Sequence, residues 1–403
     1  MKLTGWVVAG AAAMVATSAA AQYSGEAVKV AVLEDMSGVY ADLTGEGAVV
    51  AARMAVEDFG GTLNGQPIEV LSADHQNKAD IAANAAREWI DEQGVDMIVG
   101  LGNSAVALAV QEVAREKGIA AINTSAATTA LTNEQCSPTG VHYVYDTFAL
   151  ANGTGRALVR QGARTWFFIT ADYSFGHSLE EQTSKAVEAE GGEVIGSVRV
   201  PFPNQDFSAF LLQAQASGAD VIGMANAGGD TVNTVKQASE FGITEGQSLA
   251  GLLMFITDIH ALGLDVTQGL TITTAWYWDL NDETRAFADR FAAGMGRETK
   301  PNMLHAGIYS AVGTYLRAAE AAGTDDGKAV VDAMKTMTID DMFAQGGRIR
   351  EEGLHVHDMY LVEVKSPEES TGPWDYYKVL ATIPGEEAFQ SPDEVSCPFL
   401  DAS

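Results

Sequence analysis

The sequence predicts an α/β protein of two similar lobes, each a mainly parallel β-sheet flanked by helices. Its 403 residues, 47% of them hydrophobic, suffice for two domains of ordinary size and are too apolar for a disordered chain. Short β-branched runs alternate with segments of helical period, the pattern of right-handed βαβ units. That alternation stops and then restarts near the middle of the chain, which points to two lobes.

The first series begins with a strand, Val28 to Leu33, and a helix, Gly45 to Phe59, whose apolar residues Val49, Ala52, Ala55, Val56 and Phe59 recur at helical spacing. Gly60-Gly61 stops the helix. A strand from Ile68 to Ser72, a helix from Ala79 to Glu92, a strand from Met97 to Val99 and a helix from Ser104 to Lys117 follow, and Ala120 to Asn123 closes the series. The second runs Trp166 to Thr170 (strand), Gly176 to Glu190 (helix), Val194 to Val200 (strand), Phe207 to Ser217 (helix), Val221 to Ala225 (strand) and Asp230 to Phe241 (helix). Asp282 to Thr336 is strongly helical, and Met359 to Val364 and Trp374 to Ile383 read as late strands.

The chain carries 24 Lys+Arg against 54 Asp+Glu, a formal net charge of -30. Such a field repels phosphate backbones and anionic lipid, so no nucleic-acid partner is expected. Lys2, the apolar stretch Trp6 to Ala16 and Ala19-Ala20-Ala21 before Gln22 have the form of a secretory signal peptide over residues 1–21, too short to span a membrane. An exported, periplasmic protein is expected. Two cysteines, Cys136 and Cys397, are an even count in an oxidising compartment, which favours a disulfide over two separate buried thiols.

Open α/β sheets bind ligands beyond the carboxyl ends of their strands. The loops there are Glu34 to Asp42, containing Ser37 and Tyr40; Gly100-Leu101-Gly102-Asn103-Ser104, leading into a helix start; and Thr124-Ser125-Ala126-Ala127-Thr128-Thr129. In the second series they are Asp172-Tyr173-Ser174-Phe175-Gly176 and Asn226-Ala227-Gly228-Gly229-Asp230. A Ser or Thr before a helix is ordinarily an N-cap. Hydroxyls and helix starts recurring at corresponding loop ends are instead what one shared cleft requires. Tyr40, Tyr173, Phe175, Phe255, Trp276, Tyr277 and Trp278 are candidates for its walls.

No catalytic motif emerges. Gly100 to Ala105 fits a dinucleotide fingerprint formally but follows the third strand rather than the first, and neither a nucleophile elbow nor a phosphate-binding P-loop is present. His355 and His357 read as ordinary strand residues, short of a metal site. No catalytic residue, cofactor or metal is expected.

With VAVLEDMSGVYAD, GGTLNGQPIEVLSADHQNKAD, GLGNSAVALAV, INTSAATTALT, ITADYSFG and MANAGGDTVN, the chain resembles the periplasmic solute-binding proteins of the branched-chain amino acid type of ABC importer, over nearly its whole length. The resemblance implies a type I periplasmic binding protein fold, whose lobes are joined by a three-crossover hinge. Lobe I would comprise 22–148 plus about 276–356, lobe II about 149–275 plus about 357–390, with 391–403 as a tail. It implies closure on a solute and delivery to a membrane permease with its ATPase subunits. It places the ligand carboxylate at Ser104 and at Ala126 with Thr128. A family tyrosine falls on Phe175, with Tyr173 two residues earlier. An acid for a ligand ammonium falls to Asp230 or Asp258. Some relatives take up aromatic or other organic acids lacking an amine, so an amino acid is the leading solute and an organic acid or amide the alternative. A ligand sensor or a hydrolase on the same fold would use the same cleft.

Overall fold

The computed structural model describes residues 23–400; the expected signal peptide, residues 1–21, lies outside them. The first sheet contains β1 (Val28–Glu34), β2 (Thr62–Leu63), β3 (Gln66–Asp74), β4 (Met97–Gly100), β5 (Ala120–Asn123) and β6 (Gly140–His142), in the order β2-β3-β1-β4-β5-β6. All neighbours are parallel except the β2–β3 hairpin. β1 is apolar on both faces because both are covered. Val28, Val30 and Val32 join the core beneath helix Gly45–Phe59 and helix Met303–Ala322. Ala31 and Leu33 point the other way, into a core with Ala82, Ala86, Val106 and Val110 of helices Ala79–Glu88 and Ser104–Lys117.

The second sheet, β7 (Thr165–Ala171), β8 (Glu193–Val200), β9 (Val221–Ala225) and β10 (Ser248–Gly251), is parallel throughout, in the order β10-β9-β7-β8. Beyond it, β11 (Thr271–Thr274) leads back to three helices, Asp282–Met295, Met303–Ala322 and Gly327–Lys335, the first two of which pack on helix Gly45–Phe59. A hairpin of β12 (Arg348–Ile349) and β13 (His355–Val356) precedes β14 (Met359–Val364) and β15 (Tyr377–Ile383), which form an antiparallel sheet with β11 in the order β11-β14-β15. His355 Nδ1 and His357 Nε2 meet the carbonyls of Tyr143 and Val144 at 2.9 Å, and no group of three metal-ligating side chains occurs among the described residues.

Several element readings change. The first series does not close at Asn123: the three-residue β6 is too short to show a period. The second helix ends at Glu88 and continues as a π-turn, Trp89–Gln93. The segment from Asp282 to Thr336 divides where Gly296 and Gly323 adopt left-handed conformations and Asn302 caps a new start. β15 starts at Tyr377 rather than Trp374, whose φ is 71°. Cys136 and Cys397 are joined by a disulfide with their Cα atoms 5.6 Å apart. That bond, with Ser396 N–H donating to Asn133 Oδ1 at 3.0 Å, holds the C-terminal tail on the first lobe.

Candidate functional site

In the first sheet the strand order reverses between β1 and β4, and in the second between β7 and β9; loops at both switch points converge on one pocket. It is bounded by Tyr40, Leu43, Thr44, Gly102, Asn103, Ser104, Ser125, Ala126, Ala127, Tyr145 and Leu304 from the first lobe, and by Tyr173, Phe175, Ala227, Leu253 and Phe255 from the second. Its atom-free space, open mouth included, is about 320 Å³.

One end gathers a helix start and hydroxyls. Asn103 caps helix Ser104–Lys117, its Oδ1 accepting from the N–H groups of Ala105 at 2.9 Å and Val106 at 3.3 Å. Ser104 opens that 14-residue helix, so the positive end of its dipole faces the pocket. Ser104 Oγ accepts from Thr128 N–H at 3.3 Å, which leaves its single proton free for a ligand. Ser125 presents a second hydroxyl, and Tyr145 donates to the Ser125 carbonyl at 2.6 Å. The other end is apolar and aromatic: Phe175, Phe255, Leu43, Leu253 and Leu304, roofed by Tyr40 and Tyr173, whose hydroxyls meet at 2.6 Å.

Of the candidate residues, Tyr40, Asn103, Ser104, Ser125, Ala126, Ala127, Tyr173, Phe175 and Phe255 line this pocket. The other five do not. Ser37 is exposed and donates to Asp74 Oδ2 at 2.5 Å. Thr128 caps the short turn Thr129–Leu131 and borders a neighbouring polar groove with Thr129 and Ser178. Asn226 binds the hydroxyls of Thr231 and Thr234 within its own lobe. Asp258 turns back to cap its helix, Oδ2 accepting from Phe255 N–H at 2.9 Å, and burial pushes it up to about 7. Asp230 is buried behind the tyrosine pair; Oδ1 accepts from Asn204 N–H at 3.0 Å, Oδ2 has no partner, and burial again raises it to about 7. The aromatic trio leaves the pocket too. Trp276 and Trp278 spend their N–H groups on the carbonyls of Met342 and Trp374, and Tyr277 packs on Tyr377.

A family model described as periplasmic binding protein matches residues 27–372. The chain belongs to that family. It is similar to a periplasmic binding protein of Burkholderia mallei, at 56% identity and TM-score 0.91 over 93% of this chain and 99% of that one. A periplasmic ligand-binding protein of a branched chain amino acid ABC transporter from Burkholderia xenovorans is 41% identical, at TM-score 0.82, over 92% and 99%. A Leu/Ile/Val-binding protein homolog of Brucella melitensis is 24% identical over 90% of this chain and 93% of its own length. The fold alone is shared with a solute binding protein of Rhodopseudomonas palustris solved with 3,4-dihydroxy benzoic acid, at 23% identity and TM-score 0.82 over 92% and 100%. The family places this periplasmic binding protein outside the cytoplasm, and no helix among the described residues is long and apolar enough to cross a membrane.

Five residues of this pocket escape sequence reasoning: Leu43, Thr44, Tyr145, Leu253 and Leu304. Tyr145 follows the short β6, and Leu304 begins a helix that returns from the far end of the chain, so neither stands at a legible strand end. The carboxyl of Glu34, at the end of β1, lies behind Gly102 and Ser125 and is fully buried. Its apolar surroundings, Ala31 to Leu33 before it, were the only signal.

Proposed function

We propose that this periplasmic binding protein is the exported receptor of an ABC importer for a small apolar carboxylate without an amine, handing it to a membrane permease by hinge closure. One observation carries the reading: the pocket pairs hydroxyls at a helix start with an aromatic and aliphatic end, and none of its lining side chains is an acid. An ammonium taken from water with no such partner costs several kcal/mol. The carboxylate sits between Ser104 and Ser125, and closure pivots near 148, 275 and 357.

The unpartnered Oδ2 of Asp230 favours a second reading, an apolar amino acid, as in the branched chain relative. Calorimetry with leucine and with 4-methylpentanoate, its des-amino counterpart, decides between them. Tighter binding of 4-methylpentanoate supports the organic-acid receptor. Tighter binding of leucine, lost in Asp230→Asn, establishes the amino-acid receptor instead.

A further inference from the structure

The buried end of β1 carries one carboxyl that touches both anion-holding loops. Glu34 Oε2 accepts from Gly102 N–H at 2.7 Å, and Oε1 lies 2.6 Å from Ser125 Oγ. The side chain is fully buried, and a Cβ on Gly102 would come within 2.4 Å of Glu34 Oε2, so the loop is shaped around it. Among the described residues no lysine or arginine pairs with it. His75, after β3, is the one base near it, with Nε2 3.9 Å away and no hydrogen bond of its own. Burial pushes that imidazole down to about 4, so it is neutral. Asp35, next in the chain, adds negative charge, and Tyr145 and Thr44 face the carboxyl from the remaining sides.

We propose that Glu34 is a positioning residue of the binding site: it holds a proton, donates it to Ser125 Oγ, and thereby frees the Ser125 hydroxyl to donate to the bound carboxylate. The inference rests on the reading of this pocket as a carboxylate site. A serine hydroxyl has one proton and two acceptor sites. An ionised Glu34 takes that proton and turns a lone pair toward the ligand, whereas a protonated Glu34 fills a lone pair and releases the proton. A buried carboxyl with no cation and a carboxylate beside it favours the protonated form, and burial pushes Glu34 up to about 8. Thr124 Oγ1, 3.2 Å from Ser125 Oγ, is the competing acceptor.

Neutron diffraction from crystals of the deuterated full chain at neutral pH reads the protons without any ligand. A deuteron on Glu34 Oε1, with the Ser125 deuteron directed into the pocket, is expected. A bare carboxylate accepting from Ser125, or a Ser125 deuteron aimed at Thr124, overturns the proposal. Binding of 3-methylbutanoate, followed by calorimetry from about pH 7 to about pH 9.5, is the second arm. Wild type should lose affinity roughly tenfold or more, while Glu34→Gln, whose amide donates to Ser125 at every pH, should keep the neutral-pH affinity and show a flat profile. An equal alkaline loss in Glu34→Gln overturns the proposal. If wild type binds no 3-methylbutanoate at any pH, the solute reading fails for that acid and the neutron map alone decides the role of Glu34.

Discussion

The hydroxyls of Tyr40 and Tyr173, one from each lobe, lie 2.6 Å apart across the mouth of the pocket. Phe202 packs against both rings, with centroids 5.5 Å from Tyr40 and 4.4 Å from Tyr173. Next to them Gly229 N–H donates to the Val39 carbonyl at 3.1 Å, again from lobe to lobe. These contacts exist only when the lobes are together, so their free energy adds to ligand affinity rather than to the stability of either lobe.

Removing either hydroxyl should therefore weaken binding while leaving the melting temperature of the free protein unchanged. Tyr40→Phe or Tyr173→Phe is expected to cost about 0.5 to 1.5 kcal/mol of affinity. The double variant should lose no more than either single one, since both remove the same bond. Calorimetry on the four proteins checks this; additive losses would show that the hydroxyls act separately.

Gly228 has φ +59°, and a Cβ there would sit 2.8 Å from both Tyr40 Cδ1 and the Val39 carbonyl oxygen. Gly228→Ala should hold the lobes apart. The expected result is a folded protein with a larger radius of gyration in the presence of ligand and affinity reduced by an order of magnitude or more. Ligand-induced compaction equal to wild type in small-angle scattering would contradict it.

Ser104 and Thr128 separate a ligand contact from a structural cap. Ser104→Ala should cost on the order of 1.5 to 3 kcal/mol of carboxylate affinity, the range of a charge-assisted bond. Thr128→Ala should leave affinity nearly unchanged, because its hydroxyl accepts from Ala130 N–H at 3.4 Å and does not line the pocket. Equal losses for the two variants would place Thr128 on the ligand.

Burial depresses His305 to about 4, although its Nε2 meets the Thr44 carbonyl at 3.1 Å. The unfolded chain binds a proton near pH 6.5 that the folded one refuses, so this contribution is fully present above 6.5 and is lost as pH falls toward 4. His305→Gln should remove part of the acid sensitivity, making the stability gap to wild type shrink by on the order of 3 kcal/mol across that window. Denaturant titrations at several pH values measure it. Glu34 works in the opposite sense: its pKa is raised to about 8, so its contribution is lost as pH rises from about 4.5 to 8.

Much of this site is legible in the chain. Ser104, Ser125 and Ala126 follow apolar runs that have only one structural meaning, and a loop after a parallel strand has one place to go. Asp230 and Asp258 were not separable by such reasoning. Both open helices at strand ends, yet one carboxylate is consumed by its own cap and the other is left with a bare oxygen. Which outcome applies depends on a backbone N–H three residues away or on a distant loop, and composition carries no trace of either.

The sequence by itself determined the two βα series, the strands buried on both faces and the loops that form a cleft, because periodicity and turn residues act over a few positions. Only the tertiary structure decided that Tyr145 and Leu304 join the pocket, that Trp276, Tyr277 and Trp278 leave it, and that Cys397 reaches Cys136. Each of those depends on segments far apart in the chain arriving at one point, and it is the packing of whole elements against one another that brings them there.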